Sequence, residues 1–329
     1  MKILFDTLGG DNAPYEIIKG ALAAKEEYGI IPCFIGNKKE VSEILKDITN
    51  EDFEIVDAPS KIENDEEPAF AIRKKKDSSI VVGMTLLKDK KYDAFLSAGS
   101  TGALLAGGLF IVGRANGVKR AVLPTALPTL KGTKTYIIDS GANMDVDSNL
   151  LVQFAELGST YLKNEGISEP RVGLLNVGTE KGKGNALTKE SYELLENANI
   201  NFIGNVEARE IPFGVCDLVV CDGFVGNVLL KVVEGVAYML MKTLEITSQK
   251  MGFDEKSLKN IATLLKTVGS NLDSSEVGGV LLLGLKEIVI KAHGSSDAKA
   301  IKNATKAAKE AYDKKIIYQF ENLGGNDER

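Results

Sequence analysis

The sequence predicts an α/β protein, arranged as a three-layer αβα sandwich around a mostly parallel sheet. Short apolar runs rich in β-branched residues alternate with segments of helical period through the first half of the 329-residue chain. A Gly or Asp turn follows most of these runs, and the helical segments are long enough to serve as crossovers. Strands joined by helical crossovers run parallel and are covered on both faces, which gives the three layers.

The individual elements follow from these two periods, in order along the chain. Apolar β-branched runs predict strands at residues 2–7, 32–36, 53–58, 94–98, 120–126, 134–139, 171–177, 201–205 and 217–222. Helical periodicity predicts helices at residues 13–28, 39–47, 68–76, 78–90, 100–112, 148–163, 188–197, 224–249, 254–268 and 296–321. Because no Pro-rich or Ser-rich linker interrupts them, we expect residues 1–329 to form a single large α/β unit, or two intimately packed lobes.

Two consecutive helices, within residues 224–268, are expected to protrude from this unit. The first carries apolar residues at i, i+3, i+4 and i+7 spacing, which indicates a subunit interface. These residues are Val225, Val228, Leu229, Val232, Val233, Val236, Met239 and Leu240. The second helix has an apolar face with lysines nearby, formed by Leu258, Ile261, Leu264, Leu265 and Val268 with Lys256, Lys259 and Lys266. A basic amphipathic helix of this kind either lies on an anionic membrane or packs on its own protein.

The composition argues against several classes of protein. Lys and Arg number 40 against 46 Asp and Glu, and this net charge of −6 argues against broad nucleic-acid binding. Cys33, Cys216 and Cys221 have no C-x-x-C spacing and the chain has one histidine, so no ordinary Cys/His zinc site is expected. Because no signal-peptide pattern precedes the first strand, the cysteines are interpreted as reduced thiols of a cytosolic protein.

Four predicted strand ends carry similar turns of small and acidic residues. The turns are Asp6-Thr7-Leu8-Gly9-Gly10-Asp11, Ala98-Gly99-Ser100-Thr101-Gly102, Asp139-Ser140-Gly141-Ala142-Asn143 and Asp222-Gly223-Phe224-Val225-Gly226-Asn227. Ligands bind at the carboxyl ends of parallel strands, and small residues let backbone N–H groups approach an anion there. Together the turns predict an anion or acyl-phosphate crevice, whereas each turn alone is equally well explained as a tight βα turn with an Asp N-cap.

Two further features are candidates for chemistry. Lys181 and Lys183 lie in a glycine-rich segment, residues 176–185, that matches neither a P-loop nor a dinucleotide-binding motif. This segment is suited either to holding phosphate or to being a solvated loop. His293 is the single imidazole of the chain, and it is a candidate for substrate binding or acid–base chemistry. The alternative for His293 is a helix contact or a buried hydrogen bond.

In these motifs the sequence closely resembles the bacterial phosphate acyltransferase family, the PlsX-type acyl-ACP:phosphate transacylases of phospholipid synthesis. The resemblance covers nearly the whole chain. Besides the four turns it includes Ala126-Leu127-Pro128-Thr129, the stretch from Val172 to Asn185, and Phe202-Ile203-Gly204-Asn205-Val206-Glu207. The sequence departs from the family at Thr7-Leu8, Ser100, Ser140 and Thr179, but it keeps the glycines and the flanking carboxylates.

The resemblance implies a homodimer that converts acyl-ACP and orthophosphate into acyl phosphate and ACP. Our hypothesis for the mechanism is direct attack of phosphate on the thioester. The implied fold is related to isopropylmalate dehydrogenase and phosphotransacetylase, and neither a metal nor another cofactor is required. The product would pass to a downstream membrane acyltransferase. The protein would be cytoplasmic and peripherally associated with the inner face of the cell membrane. The alternatives are a β-decarboxylating dehydrogenase, and a membrane-surface scaffold or regulator of lipid synthesis without catalysis.

Together the motifs and the resemblance indicate three sets of candidate residues. The candidate catalytic residues are Asn143, Lys183, Asn185 and His293. The candidate substrate-binding and phosphate-binding residues are Asp6, Gly9, Gly10, Asp11, Ser100, Thr101, Gly102, Asp139, Asn176, Lys181, Asp222, Gly223 and Asn227. The residues expected to face a membrane or ACP are Lys256, Leu258, Lys259, Ile261, Leu264, Leu265, Lys266 and Val268, with Arg73-Lys74-Lys75-Lys76 as a second basic surface.

Overall fold

The computed structural model describes residues 1–272 and 278–321 of the chain. Its strands are β1 (Lys2–Asp6), β2 (Ile31–Gly36), β3 (Ile55–Asp57), β4 (Ala94–Ser97), β5 (Thr125–Pro128), β6 (Lys134–Ile138), β7 (Arg171–Asn176), β8 (Asn201–Glu207), β9 (Leu218–Val220), β10 (Gly279–Leu281) and β11 (Ile288–Ala292). Its α-helices are α1 (Tyr15–Tyr28), α2 (Lys38–Ile48), α3 (Pro68–Lys74), α4 (Ser79–Lys88), α5 (Thr101–Gly107), α6 (Ser148–Asn164), α7 (Ala186–Glu196), α8 (Gly223–Lys250), α9 (Glu255–Leu272), α10 (Ala298–Asp313) and α11 (Ile316–Glu321). A π-helical segment at Gly108–Val112 and a 3₁₀ segment at Ala208–Phe213 are also present.

The strands form two mostly parallel sheets. The first has the order β10-β11-β4-β1-β2-β3, and the second has the order β5-β6-β9-β7-β8. Strands β10 and β5 pair antiparallel with their neighbours. The predicted α/β fold with mostly parallel strands is confirmed, but two sheets replace the single one expected. Strand periodicity does not reveal this division, because strand pairing joins residues far apart in sequence, such as Phe5 and Leu96.

Helices cover both faces of the first sheet. On one face α1 and α10 pack against apolar residues that include Ile3, and on the other face α3, α4 and α5 pack against Leu4 and Phe95. The first of these apolar clusters continues beneath α6 to Ile138 and Leu218 of the second sheet. The two sheets therefore share one continuous apolar core.

Three parts of the sequence prediction differ most from the structure. No strand is predicted at β10 or β11, although β11 begins with the β-branched run Ile288-Val289-Ile290. The strand expected at residues 120–126 is confined to β5, while Val122 forms an isolated bridge with Leu283. The helix expected at residues 296–321 is divided into α10 and α11 near Lys315, whose φ of 52° lies in the left-handed region.

Helices α8 and α9 pack against each other and form what we call the α8–α9 hairpin. α8 is 28 residues long, about 42 Å at the usual helical rise. Much of its predicted apolar stripe is exposed, namely Val225, Val228, Val232, Val236, Met239 and Leu240. On α9, Leu258, Ile261 and Leu265 are half-buried, whereas Leu264, Val268, Lys256 and Lys259 are exposed. The side chain of Lys266 lies outside the described residues.

The contact between α1 and α10 gives a test of the packing. A Cβ at Gly20 would lie 2.5 Å from the Cβ of Ile301 and 2.6 Å from the carbonyl oxygen of Ala298. We therefore expect Gly20→Ala to lower the free energy of unfolding by about 1–3 kcal/mol in urea denaturation. The matched control is Gly235→Ala on α8, where no described residue outside the helix's own neighbouring backbone lies within 4 Å of an added Cβ. The control should be neutral or stabilising by up to about 1 kcal/mol, and equal stability of the two variants would contradict the packing.

Candidate active site

A buried carboxylate ties the ends of β1 and β4 together. Asp6 is 1% exposed and accepts a hydrogen bond of 2.6 Å from the Ser97 hydroxyl. The other carboxylate oxygen accepts from the Leu8 N–H at 3.1 Å, and the Ser97 hydroxyl accepts from the Gly99 N–H at 3.0 Å. Burial raises the pKa of Asp6, and these hydrogen bonds oppose the rise only in part. The arrangement makes Asp6 a residue that holds the two turns in place.

Glycine lets the two turns touch. A Cβ at Gly9 would lie 2.5 Å from the nitrogen of Gly99 and 2.8 Å from the Asp6 carboxylate. Gly10 has a φ of +102°, a conformation that side-chain-bearing residues rarely adopt. The turns after β1 and β4, predicted separately from the sequence, therefore form one structural unit.

The loop after β11 completes this unit. The Gly294 carbonyl accepts a hydrogen bond of 2.7 Å from the Asp11 N–H, and the Asn12 side chain donates to the Ser295 carbonyl at 3.0 Å. His293 is exposed, and its Nδ1 lies 2.8 Å from the Ser295 hydroxyl. The structure thus brings His293 beside the first predicted turn. We call this unit the first corner, which comprises residues 6–12, 97–102 and 293–296.

Helix α5 begins within the first corner. The Ser100 hydroxyl caps it by accepting from the Ala103 N–H at 3.4 Å, and Thr101 and Gly102 form its half-buried first turn. A Cβ at Gly102 would lie 2.6 Å from the Pro68 ring. This close approach places the start of α3 against the first corner.

A second buried carboxylate organises the turn after β6. Asp139 is fully buried and accepts hydrogen bonds from the N–H groups of Leu123 at 3.1 Å, Ala142 at 3.0 Å and Asn143 at 2.6 Å. Burial raises the pKa of Asp139, and the donated hydrogen bonds oppose the rise. The Asn143 side-chain amide donates to the Asp139 carboxylate at 3.0 Å and to the Ala121 carbonyl at 2.9 Å. The Asn143 amide thus donates to two acceptors within the protein, and this makes Asn143 a positioning residue.

The start of α8 interlocks with this turn. Asp222 caps the helix by accepting from the Val225 N–H at 2.8 Å, and the Gly223 N–H donates to the Asn143 carbonyl at 2.7 Å. A Cβ at Gly226 would lie 1.9 Å from the Asp139 carbonyl oxygen, so only glycine permits this approach. We call residues 139–143 and 222–227 the second corner.

The two corners lie on different sheets and are linked through residues 121–123. The Leu123 carbonyl accepts from the Ser140 N–H at 3.1 Å, and the neighbouring Val122 bridges to Leu283. Ala142 packs on the apolar cluster beneath α3, α4 and α5. The sequence predicts all four turns at one sheet edge. The structure instead joins them in two pairs and connects the pairs through this packing.

The glycine-rich segment after β7 is fixed by two asparagines. The Asn176 side-chain amide donates to the side-chain oxygen of Asn205 at 3.0 Å and to the main-chain carbonyl of Lys183 at 3.2 Å. Asn185 caps α7 by accepting from the Thr188 N–H at 2.9 Å. Because β7 runs parallel to β9, the segment lies at the same sheet edge as the second corner.

The two lysines of this segment differ in their surroundings. The Lys181 ammonium lies 2.6 Å from the Glu196 carboxylate and 5.2 Å from the centre of the Tyr192 ring, so its charge is engaged with α7. Lys183 is exposed, and within residues 1–272 and 278–321 its ammonium makes neither a hydrogen bond nor an ion pair. Of the two, Lys183 is the one available to an anionic ligand.

The structure adds a lysine that the sequence analysis does not select. Lys291 is on β11 next to the first corner. Burial lowers its pKa to about 8, although the negative charge of Asp11 acts to raise it. A single lysine within the apolar run Ile288–Ala292 is the sequence signal that would have marked it. The sequence analysis assigns no strand there, so the burial is not foreseen.

The cysteines are buried and reduced. Burial raises the pKa of Cys33 and of Cys216 to about 12, and it also raises the pKa of Cys221. Among the described residues, no group of three His, Cys, Asp or Glu side chains is arranged to hold a metal ion.

The sheet topology defines an α/β protein that shares its fold with phosphotransacetylases. A phosphotransacetylase from Streptococcus pyogenes superposes with a TM-score of 0.65 and 20% identity, covering 95% of this chain and 94% of the other. A 4-hydroxythreonine-4-phosphate dehydrogenase from Klebsiella pneumoniae has the same fold, with a TM-score of 0.54, 13% identity and coverage of 95% and 97%.

Sequence comparison then gives the family. Residues 1–319 match the family described as "Fatty acid synthesis protein". A phosphate acyltransferase from Caldanaerobacter subterraneus is 48% identical over 328 residues, covering 99% of this chain and 95% of the relative. A phosphate acyltransferase from Clostridioides difficile is 47% identical over 310 residues, with coverage of 92% and 90%. The chain belongs to the phosphate acyltransferase family, as its motifs predict.

The donors around Asp139 can be tested by removing its negative charge. Asp139→Asn would place an amide group among three N–H donors, so we expect the free energy of unfolding to fall by about 2–3 kcal/mol in urea denaturation. The matched control is Asp147→Asn at the exposed N-cap of α6, where asparagine caps equally well and the change should stay within about 0.5 kcal/mol. A loss no larger than that of the control would show that the carboxylate does not hold the second corner.

Proposed function

We propose that this member of the phosphate acyltransferase family transfers a fatty acyl group from acyl-ACP to orthophosphate. The observation that carries the proposal is the meeting of glycine-built turns in two linked corners, with the exposed Lys183 at the edge of the second sheet. Backbone N–H groups in glycine turns, together with a nearby cation, are suited to a phosphate dianion. The family relationship supports acyl transfer to phosphate, and the acyl-ACP donor is our more specific assignment.

The proposed reaction is a direct attack of a phosphate oxygen on the thioester carbonyl. An acyl-enzyme would need a nucleophile in the protein, and burial leaves the described cysteines as protonated thiols. The Ser97 hydroxyl is fully buried and already donates to Asp6. These surroundings favour phosphate itself as the nucleophile, held in line by the corners.

The structure suggests a division of labour among the candidate residues. We assign the backbone of Gly9, Gly10 and residues 100–102, with Lys183, to phosphate binding. Asn227 is half-buried beside Gly141 in the second corner, and we assign its side chain to the thioester oxygen that becomes an oxyanion. Six other polar candidates form hydrogen bonds within the protein and position the turns, namely Asp6, Asp139, Asn143, Asn176, Asn185 and Asp222. Lys181 is paired with Glu196 on the surface of α7 and takes no part in the site.

The decisive measurement is release of ACP thiol that depends on added phosphate. We expect Lys183→Ala to reduce the rate about 10²-fold, because it removes a charged donor from the developing negative charge. The matched control is Lys181→Ala, which removes an ammonium already paired with Glu196 and should stay close to the wild-type rate.

Three outcomes of this assay would contradict the proposal. Thiol release that is independent of phosphate would indicate a hydrolase, and no release at all would favour the scaffold alternative. Equal losses in the two lysine variants would remove Lys183 from the phosphate site. Binding of a nicotinamide cofactor in calorimetry would favour the dehydrogenase alternative.

We assign ACP docking to a basic and aromatic surface on α3. This helix begins at Pro68, against the first corner. The Arg73 guanidinium lies 5.6 Å from the centre of the Phe110 ring, the Lys74 ammonium lies 5.5 Å from the centre of the Phe70 ring, and both rings are exposed. An acidic carrier would meet cations and apolar rings there, a short distance from the phosphate site.

We assign the α8–α9 hairpin to dimer formation and membrane contact. Among the described helices, α8 alone is long and apolar enough to cross a membrane by length and composition. Its first turn, however, is locked into the second corner by Gly223 and Gly226, so a role at the surface of a membrane or of a second subunit suits it better. Exposed Leu264 and Val268 with the nearby lysines of α9 suit the inner face of the cell membrane. A cytoplasmic enzyme placed there would deliver acyl phosphate to a membrane acyltransferase.

The two roles of the hairpin can be separated by charge substitutions. We expect Val232→Glu with Val236→Glu to convert dimer to monomer in sedimentation velocity, because carboxylates would be buried in an apolar interface. We expect Leu264→Glu with Val268→Glu to leave the dimer intact and to abolish flotation with anionic vesicles. Neutral vesicles are the control. Retention of both dimer and vesicle binding in both variants would refute these assignments.

A further inference from the structure

Three polar side chains form a row across the carboxyl ends of three neighbouring strands. Strands β1, β4 and β11 are adjacent and parallel, with Phe5 opposite Leu96 and Lys291 opposite Ser97. Asp6 follows Phe5 and therefore stands beside Ser97, to which it is hydrogen-bonded. Because neighbouring strands are about 4.8 Å apart, the row brings the Lys291 backbone close to the first corner.

The row also lies on one face of the sheet. Leu4, Phe95 and Val289 belong to the apolar cluster beneath α3, α4 and α5. Side chains two residues apart on a strand share a face, so Asp6, Ser97 and Lys291 project on that same side. This is the side on which α5 begins with Ser100.

The surroundings of Lys291 set it apart from the surface lysines. Its ammonium donates to the Ala292 carbonyl oxygen and has no carboxylate within ion-pair distance among the described residues. The negative charge of Asp11, on the turn after β1, raises the pKa of Lys291, while the Asp6 carboxylate accepts a hydrogen bond from Ser97. The exposed His293, two residues further on, is bonded to Ser295. Burial outweighs Asp11 and lowers the pKa of Lys291 to about 8.

We propose that Lys291 is the general acid that protonates the departing thiolate, an inference that rests on the proposed acyl transfer to phosphate. An oxygen of HPO₄²⁻ forms a bond to the thioester carbonyl carbon, and the tetrahedral intermediate then breaks its C–S bond. The sulfur leaves with the bonding electron pair and takes a proton from the Lys291 ammonium. The neutral amine recovers a proton from the phosphate hydroxyl of the acyl phosphate. The sum is thioester plus HPO₄²⁻ giving acyl phosphate dianion plus thiol.

Chemical matching favours Lys291 over His293 for this role. A general acid is most effective when its proton affinity is close to that of the group it protonates, and an alkyl thiol titrates near pH 8.5. A half-buried ammonium at the strand end is held within the corner, whereas the His293 ring is exposed and bonded to a neighbouring hydroxyl.

The test varies the leaving group. With a fatty acyl thioester of pantetheine, we expect Lys291→Met to lower the rate about 10²–10⁴-fold. With the thioester of 4-nitrothiophenol, whose thiolate needs no proton to leave, the loss should be less than about tenfold. Lys291→Arg keeps the charge but holds its proton too tightly, so it should behave like Lys291→Met. The matched control, Lys302→Met, removes a surface lysine paired with Glu27 and should keep the wild-type rates with both thioesters.

The outcomes separate this inference from the proposed function. Equal losses with the two thioesters, or recovery in Lys291→Arg, would show that Lys291 acts only as a phosphate-binding charge and would overturn the inference. If the variants do not fold, the wild-type enzyme is tested alone across thiols of different acidity. A rate nearly independent of thiol acidity is expected, and a steep dependence would overturn the inference. Absence of phosphate-dependent thiol release in the wild type would instead overturn the proposed function.

Discussion

Asp6 and Asp139 each place a carboxylate in the interior and surround it with donors from the turn that follows the strand. Burying a carboxylate without partners is costly, and charge-assisted hydrogen bonds are among the strongest available to offset that cost. Asp139 meets this requirement with three N–H groups and the Asn143 amide. A turn that satisfies a buried charge has few alternative conformations, so the neighbouring backbone N–H groups are fixed before any ligand arrives. Preorganised donors of this kind are what a site for a charged transition state needs.

Closely packed glycines fix the positions of these turns relative to the neighbouring elements. Gly9 brings the turn after β1 against Gly99, and Gly226 brings α8 against the carbonyl of Asp139. Each contact leaves no space for a methyl group, so the elements move together or not at all. The first turn of α8 therefore anchors the α8–α9 hairpin in the second corner. Beyond this turn the apolar stripe of α8 is exposed.

Local patterns in the sequence predicted the features that local physics determines. The alternation of strands and helices and the four turns follow from short-range periodicity and capping, whereas Asn185, predicted as catalytic, caps α7 in the structure. The division into two sheets was not predicted, because it depends on pairing between distant strands. For the same reason the sequence could not distinguish Lys181 from Lys183, since Glu196 and Tyr192 reach Lys181 from α7. Lys291 was missed because its burial depends on β11 pairing with β4.

The arrangement also explains how one site can bind two substrates of very different polarity. Orthophosphate is strongly hydrated and needs donors, whereas a fatty chain needs apolar surface. In the proposed function the first corner and Lys183 supply the donors for orthophosphate. Helix α8, which begins in the second corner, supplies apolar surface for the fatty chain along its first turns, where Val225 and Val228 are exposed. In this proposal α8 begins beside the reacting carbonyl, and its first turns lead from the polar second corner to apolar surroundings. An acyl phosphate has the same polarity, with a charged head and an apolar tail, so the path that aligns the substrate also suits departure of the product towards a membrane.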